Sequence, residues 1–407
     1  MKLALLPVSV LRCGKSTVLP RTLSILFVFS VVGLAGPTIA QDRNANWALG
    51  LAADRPDLAW ELFQTVTQQD ASGGPMFWES WMATTQVFLP QGAPPAPWGK
   101  PPKRLIGDAA ADDEGPVVVL RDGVHLESTF IDNPVDGGLR DLKGRPIFSE
   151  IRMNEVIFDT VVEQQLYNVE GQLAFNAKGQ NLDLPDGAIE VKVTWRILDA
   201  DEGPLADTYL QTTAFETANG IENTVTLGMT GMNINAKING QWFATAFEHE
   251  SNGVTTLDEN YPHVRLSLRE PDNYAAANAA SAKQFAGTPL AHYRAVGGQQ
   301  TFVASDGLPV FLTNTQQETQ IVNTSSCLSC HAYSGIGLID GKPTRLAPLV
   351  TQNADGTATG YLGTPDAKVL SRFTTFDMMW SMIEANPVDP SIQVQMLMVS
   401  QLPPSAD

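Results

Sequence analysis

Two stretches of the chain alternate apolar and polar residues with a period of two. In the first, Ile189, Val191, Val193 and Trp195 interleave with Glu190, Lys192, Thr194 and Arg196, the pattern of a strand with one buried and one solvated face. Pro185-Asp186-Gly187 supplies a turn just ahead of it. The second stretch, Trp242 to His249, opens directly after Gly240-Gln241. Val117 to Leu120 adds a short buried strand, and strand signals dominate from about residue 116 to 270.

Helical spacing occupies less of the chain. Residues 46 to 69 carry a bulky face of Leu58, Trp60, Leu62, Phe63 and Val66. Glu155 to Gln165 predicts a second helix, and Tyr274 to Ala286 a third, in which Asn278 and Ser281 interrupt the pattern. Phe373 to Ala385 predicts a compact helix with Phe373, Phe376, Trp380 and Ile383 as its stripe. A terminal strand is expected after it, with Ile392, Val394, Met396 and Met398 on one face. The aromatic cluster Phe77 to Trp81 is expected to pack against the following domain, and the proline-dense stretch from Pro90 to Pro102 to be an extended connector. The fold class implied is α+β and β-rich: antiparallel sheet or sheets, a few helices and a C-terminal segment carrying the chemistry.

The first forty residues read as a secretory leader. Lys2, Arg12, Lys15 and Arg21 are basic with no acidic residue among them, and an apolar run from Ile25 to Ala35 ends at Gly36-Pro37-Thr38-Ile39-Ala40. That run is shorter than the roughly 20 apolar residues of a membrane span, so cleavage after Ala40 is expected, with an uncleaved anchor as the alternative. The organisation expected is a signal peptide over 1–40, a helical and aromatic segment with its connector over 41–115, a β-rich domain over 116–300 and a final segment over 301–407. Losing the leader removes four positive charges and takes the formal charge from −18 to −22. Such acidity argues against nucleic acid as a partner. The expected location is the periplasm or another exported compartment, with no integral membrane segment left after cleavage.

Of three cysteines, Cys13 lies in the leader, and the other two lie together in Ser325-Ser326-Cys327-Leu328-Ser329-Cys330-His331. Two thiols three apart, followed at once by a histidine, form the attachment pattern of a c-type haem. On a helical turn Cys327, Cys330 and His331 share one face. Both sulfurs can then bond one porphyrin while the imidazole reaches its iron. Thr324, Ser325 or Ser326 is placed to cap that turn. Zinc would need four protein ligands, and no third thiol is near. A redox-active CxxC belongs early in a βαβ pattern that is absent here. The cofactor expected is one covalent haem c with its iron, held by Cys327 and Cys330 and ligated by His331.

Small helical cytochromes place CxxCH near the start of a helical domain, whereas here a long strand-forming region precedes it. In this respect the chain resembles the β-rich haem proteins of the cytochrome c-prime-beta family and their hydroxylamine-oxidising relatives. The resemblance rests on Pro185 to Lys192, Cys327 to His331 and Phe376 to Trp380. It also resembles a larger group of exported bacterial mono-haem cytochromes without an assigned activity, through the Trp242 to His249 run and the late CxxCH. The first resemblance implies a haem sheltered by strands. Some of those relatives cross-link a strand lysine to the porphyrin, but Lys192 alternates with Val191 and Val193 and is expected on a solvated polar face.

The second axial position is open in the sequence. Met378, Met379 and Met382 follow His331 by 47 to 51 residues, yet on an aromatic-rich helix they also read as core. Met396 and Met398 read as one face of the terminal strand. His249 shares a face with Phe243 and Phe247 and suits a ligand or a satisfied core histidine. His125, His263 and His292 carry no pattern. The function expected is electron transfer or haem-based redox chemistry with a redox protein or small molecule as partner. The alternatives are a five-coordinate gas binder or sensor, or a periplasmic haem oxidoreductase or peroxidase. No catalytic residue is assigned, and Glu248-His249 is the one pair worth testing.

Overall fold

Alternation over the middle of the chain produces nine strands that join into one antiparallel sheet. The computed structural model describes residues 55–69, 74–99, 117–128, 139–218, 221–258, 272–305, 307–318, 325–347, 351–352, 358–359 and 364–403. The expected leader, its cleavage site, His263 and Thr324 lie outside them. All described residues belong to one compact unit, 43–407. In chain order the helices are α1 (Pro56–Val66), α2 (Thr84–Val87), α3 (Glu155–Glu163), α4 (Val169–Asn176), α5 (Asn252–Thr255), α6 (Asp272–Gln284), α7 (Cys327–His331) and α8 (Ala367–Leu370). The strands of the large sheet are β1 (Met82–Ala83), β2 (Val117–Leu120), β3 (His125–Ser128), β5 (Phe148–Met153), β6 (Ile189–Leu198), β7 (Gln211–Ala218), β8 (Ile221–Ile238), β9 (Gln241–His249) and β11 (Tyr293–Gln299). Two short strands, β4 (Leu139–Asp141) and β10 (Thr256–Asp258), pair separately.

The sheet curls on itself because β5 and β8 each have three partners. β5 pairs with β1, β3 and β6, and β8 with β6, β7 and β9. The ring β5–β3–β2–β7–β8–β6 is thereby closed, which removes its free edges. The inner face is the main apolar core, with Val193, Trp195, Leu227, Met232, Ile234, Phe243 and Phe247. α1 covers one side of it: Phe63 stacks on Phe247 at 4.1 Å, and Trp60 meets Phe247 edge-on at 5.0 Å. Trp78 of the aromatic cluster lies 6.0 Å from Trp195, with the Arg152 guanidinium 5.5 Å above its ring.

The opposite face is also covered. The sequence implies water over Glu190, Lys192, Thr194 and Arg196; instead Glu190, Thr194 and Arg196 are buried and Lys192 is half-buried. The polar groups are satisfied in place: Glu190 bonds Ser381, Thr194 bonds Thr230, and Arg196 bonds Tyr209 and Glu202. A second apolar cluster lies on this side, uniting Trp242, Ala244 and Ala246 of β9 with α3, α4, Leu312, Cys327 and Met379.

The C-terminal part forms a mixed sheet in the order β16–β12–β13–β17, from β12 (Gly335–Ile339), β13 (Lys342–Leu346), β16 (Thr374–Thr375) and β17 (Gln395–Leu397). Asp340 and Gly341, both with positive φ, make the two-residue turn of the β12–β13 hairpin. A small ribbon, β14 (Thr351–Gln352) with β15 (Ala358–Thr359), pairs apart from it.

Two elements differ from expectation. The stretch Phe373 to Ala385 is β16, a left-handed turn at Asp377 and Met378, and a 3₁₀ turn at Trp380–Glu384, not one helix. Its apolar spacing still buries Phe373 and Phe376, but the side chain of Asp377 is held by the large sheet and turns the backbone away from a helix. The terminal strand shrinks to β17, parallel to β13, with Met396 exposed rather than packed. α1 covers part of the helix expected over 46 to 69, of which 46–54 lie outside the described residues. No helix among the described residues is long and apolar enough to cross a membrane.

Candidate functional site

Cys327, Leu328, Ser329, Cys330 and His331 form a single turn of helix, α7, that lies against β9, and a parallel bridge joins Leu312 to Ser326 just ahead of it. Ser326 occupies the cap position, but its hydroxyl does not cap. It donates to Ser329 Oγ at 2.9 Å. The cap comes from β11, where Gln299 Oε1 accepts the Leu328 N–H at 3.1 Å and Gln299 Nε2 donates to Ser326 Oγ at 2.8 Å. The serine cap read from the sequence is therefore replaced by a glutamine brought from a distant strand. Gln299 is wholly buried, so both ends of its amide must find partners.

Cys327 is buried, with its Sγ 3.5 Å from the Leu312 carbonyl; Cys330 is half-buried, and no disulfide joins them. Burial, and after it the charge of Glu318, pushes the Cys327 thiol well above its ordinary value. Redox-active and thiolate-ligating cysteines are tuned the other way. Among the described residues no three His, Cys, Asp or Glu side chains gather as a metal cluster.

The His331 imidazole is half-buried, and its Nδ1–H donates to the Met378 carbonyl at 2.8 Å. Burial lowers its pKa to about 4, so the ring is neutral near pH 7. With the proton on Nδ1, Nε2 carries the lone pair, the tautomer that a backbone carbonyl fixes in metal-ligating histidines. The carbonyl belongs to a turn stitched on both sides: the Phe376 N–H donates to Ser334 O at 2.9 Å, and Ser334 Oγ donates to Met379 O. Near the motif, the Thr313 hydroxyl is buried without a hydrogen-bond partner. These donors fit a c-type haem: two thiols and a pinned imidazole on one helical turn.

The stretch 312–318 fastens the motif to the sheet. Glu248 accepts from the Thr315 N–H at 2.7 Å and from Thr315 Oγ1 at 2.6 Å; Asn314 Nδ2 donates to Asn233 Oδ1 at 2.9 Å, and Asn233 Nδ2 to Gln317 Oε1 at 2.8 Å. Burial raises the Glu318 carboxyl to about 7, with Lys192 opposing it. The positive charge of Lys192 also reaches Cys327 and His331, so this half-buried lysine belongs to the motif's surroundings, not to a solvated face.

The other candidates fall elsewhere. His249 is fully buried on the inner face, opposite Glu248. Its Nδ1 accepts from Ser251 Oγ at 2.7 Å, its Nε2 faces the Thr208 carbonyl at 3.2 Å, and Tyr209 stacks on it at 3.7 Å. Burial lowers it to about 3, a satisfied core histidine. The pair Glu248–His249 is thus divided between the two faces of β9, as adjacent strand residues must be. Met379 and Met382 are buried in the second core. Met378 lies behind His331, since its carbonyl meets the nitrogen opposite Nε2. Met396 is exposed, His125 is exposed on β3, and His292 pairs with Glu250 at 2.6 Å. A cavity of about 830 Å³ is walled by Asp57, Glu61, Tyr209, Phe285 and Leu290, with no part of the motif in its lining. Sequence reading missed Gln299 and Asp377, because nothing local marks a residue whose role is to hold a distant turn.

No family profile, curated protein or solved structure matches this chain.

Proposed function

We propose that the chain is an exported mono-haem protein of the c type that performs redox chemistry on, or binding of, a small molecule at an iron with one open axial position. Cys327 and Cys330 hold the haem through thioethers, and His331 is the proximal ligand. When bound, the haem supplies a redox-active iron whose potential and reactivity follow from its second ligand and surroundings. The observation that carries the reading is the bond from His331 Nδ1–H to the Met378 carbonyl. It frees Nε2 for iron, and it places Met378 on the histidine's own side. Met379 and Met382 are spent in the core and His249 is spent on the inner face, which leaves the named second-ligand candidates otherwise engaged.

The chain's own residues do the rest. The 312–318 stretch, bonded to Glu248 and Asn233 and bridged from Leu312 to Ser326, fastens the motif turn to the sheet. Lys192 and Glu318 both act electrostatically on the Cys327 thiol. The remaining reading, a six-coordinate electron carrier, makes the opposite spectral prediction.

Expression in a host with haem-ligation machinery decides the matter. The expected product is coloured and heavier than the polypeptide by one haem, and Cys327→Ala together with Cys330→Ala abolishes the added mass. The reduced protein should bind carbon monoxide with a shift of its main absorption band. A colourless product at bare polypeptide mass overturns the haem assignment. A low-spin spectrum indifferent to carbon monoxide overturns the open site.

A further inference from the structure

Asp377 and Met378 are consecutive non-glycine residues in the left-handed region, with φ of 49° and 67°. An aspartate tolerates that conformation through its short polar side chain, but a methionine has no such compensation and is strained there. The strain sits where the Met378 carbonyl meets His331 Nδ1. What opposes it is the Asp377 carboxylate. Oδ2 accepts from Lys237 Nζ at 2.6 Å and from the Leu184 N–H at 2.7 Å, and Oδ1 accepts from Trp242 Nε1 at 2.9 Å. Three donors from β8, β9 and the stretch before β6 thus converge on one side chain of the turn. Lys237 is itself buried and also pairs with Asp183.

We infer that Asp377 is a positioning residue for the proximal histidine: anchored to Lys237, Trp242 and Leu184, it holds the 377–378 turn left-handed so that the Met378 carbonyl stays on His331 Nδ1–H. The inference rests on His331 being the iron ligand. A hydrogen bond at Nδ1 gives the imidazole more anionic character, makes it a stronger donor and favours the oxidised metal. Without the anchor the turn relaxes toward right-handed geometry, the carbonyl rotates off Nδ1, and Nε2 donates less.

The test uses the haem-loaded full chain, with haem mass, reduction potential and the iron–imidazole stretching frequency of the reduced protein read together. Asp377→Ala should keep its covalent haem while its stretching frequency falls. Its potential should rise by an amount equal to about a tenfold change in the oxidised-to-reduced ratio, about 59 mV for one electron. Asp377→Asn, which tolerates the turn but loses the charge pairing, should fall between it and the parent. If Asp377→Ala does not fold, Lys237→Gln takes its place, with a smaller shift in the same direction. A haem-bearing variant with the parent's frequency and potential overturns the inference and leaves the haem assignment standing. A parent chain without haem sinks both.

Discussion

Glu190 points from β6 into the second core, where Ser381 Oγ donates to it and no cation is bonded to it among the described residues. Burial raises its carboxyl from 4.5 to about 8, reinforced by Glu384 and opposed by Lys192. Between those two values the folded chain keeps a proton that the unfolded chain has released. The carboxyl's contribution to stability is therefore complete below about pH 4.5 and is lost as pH rises through about 8, at up to about 1.4 kcal/mol per pH unit. Glu190→Gln keeps an oxygen to accept from Ser381 and removes the titration. Urea midpoints followed from about pH 5 to pH 8 should fall steeply for the parent and more gently for the variant; parallel slopes would refute the assignment. In the sequence this residue is one polar position in a period-two strand, indistinguishable from a solvated one. Cys327, Cys330 and His331 differ because their chemistry depends on adjacency along the chain. Asp377 is again of the first kind, since its meaning lies in Lys237, more than a hundred residues away.

At the scale of elements, α7 is five residues long, too short to persist on its own terms. It is held by Gln299, whose amide accepts from Leu328 N–H and donates to Ser326 Oγ and to the Thr301 carbonyl. Gln299→Leu fills similar space but leaves several buried polar groups unpaired, a cost of about 2–3 kcal/mol. Differential scanning calorimetry should register it as a lower Tm, and hydrogen exchange at Leu328 should accelerate. Unchanged exchange at Leu328 would mean that the turn is held some other way. The i, i+3, i+4 spacing was enough to predict a helical turn, because that geometry is local. The strands β6 and β9 were likewise readable from their alternation. The Phe373 to Ala385 helix was not, since its apolar spacing suits a helix equally well until Asp377 is drawn to the sheet.

Across the whole molecule, one curled sheet separates two cores, and α1 with α6 is bound to the inner one through Asn278. That side chain is almost wholly buried. Its Oδ1 accepts from the Ala295 N–H at 3.0 Å and from Trp60 Nε1 at 2.9 Å, and its Nδ2 donates to the Ala295 carbonyl at 3.0 Å. It thus serves as a last strand beside the outer side of β11 and ties both helices to the sheet edge. The residue that interrupts the helical pattern of α6 is the one that docks it. Asn278→Leu should cost about 2–4 kcal/mol, and limited proteolysis should then cut near α1 and α6 sooner than elsewhere; cleavage at the parent's rate would show that the apolar contacts suffice. By itself the sequence determined that β2, β6 and β9 are strands, that the architecture is α+β and β-rich, and where two thiols and an imidazole share a turn, because periodicity and adjacency are properties of neighbours along the chain. Tertiary structure alone decided that the polar face of β6 is covered, that His249 belongs to the inner core, and that a turn anchored through Asp377 meets the histidine of the motif. Those outcomes depend on which distant groups satisfy one another's charges and hydrogen bonds, and no local pattern encodes that pairing.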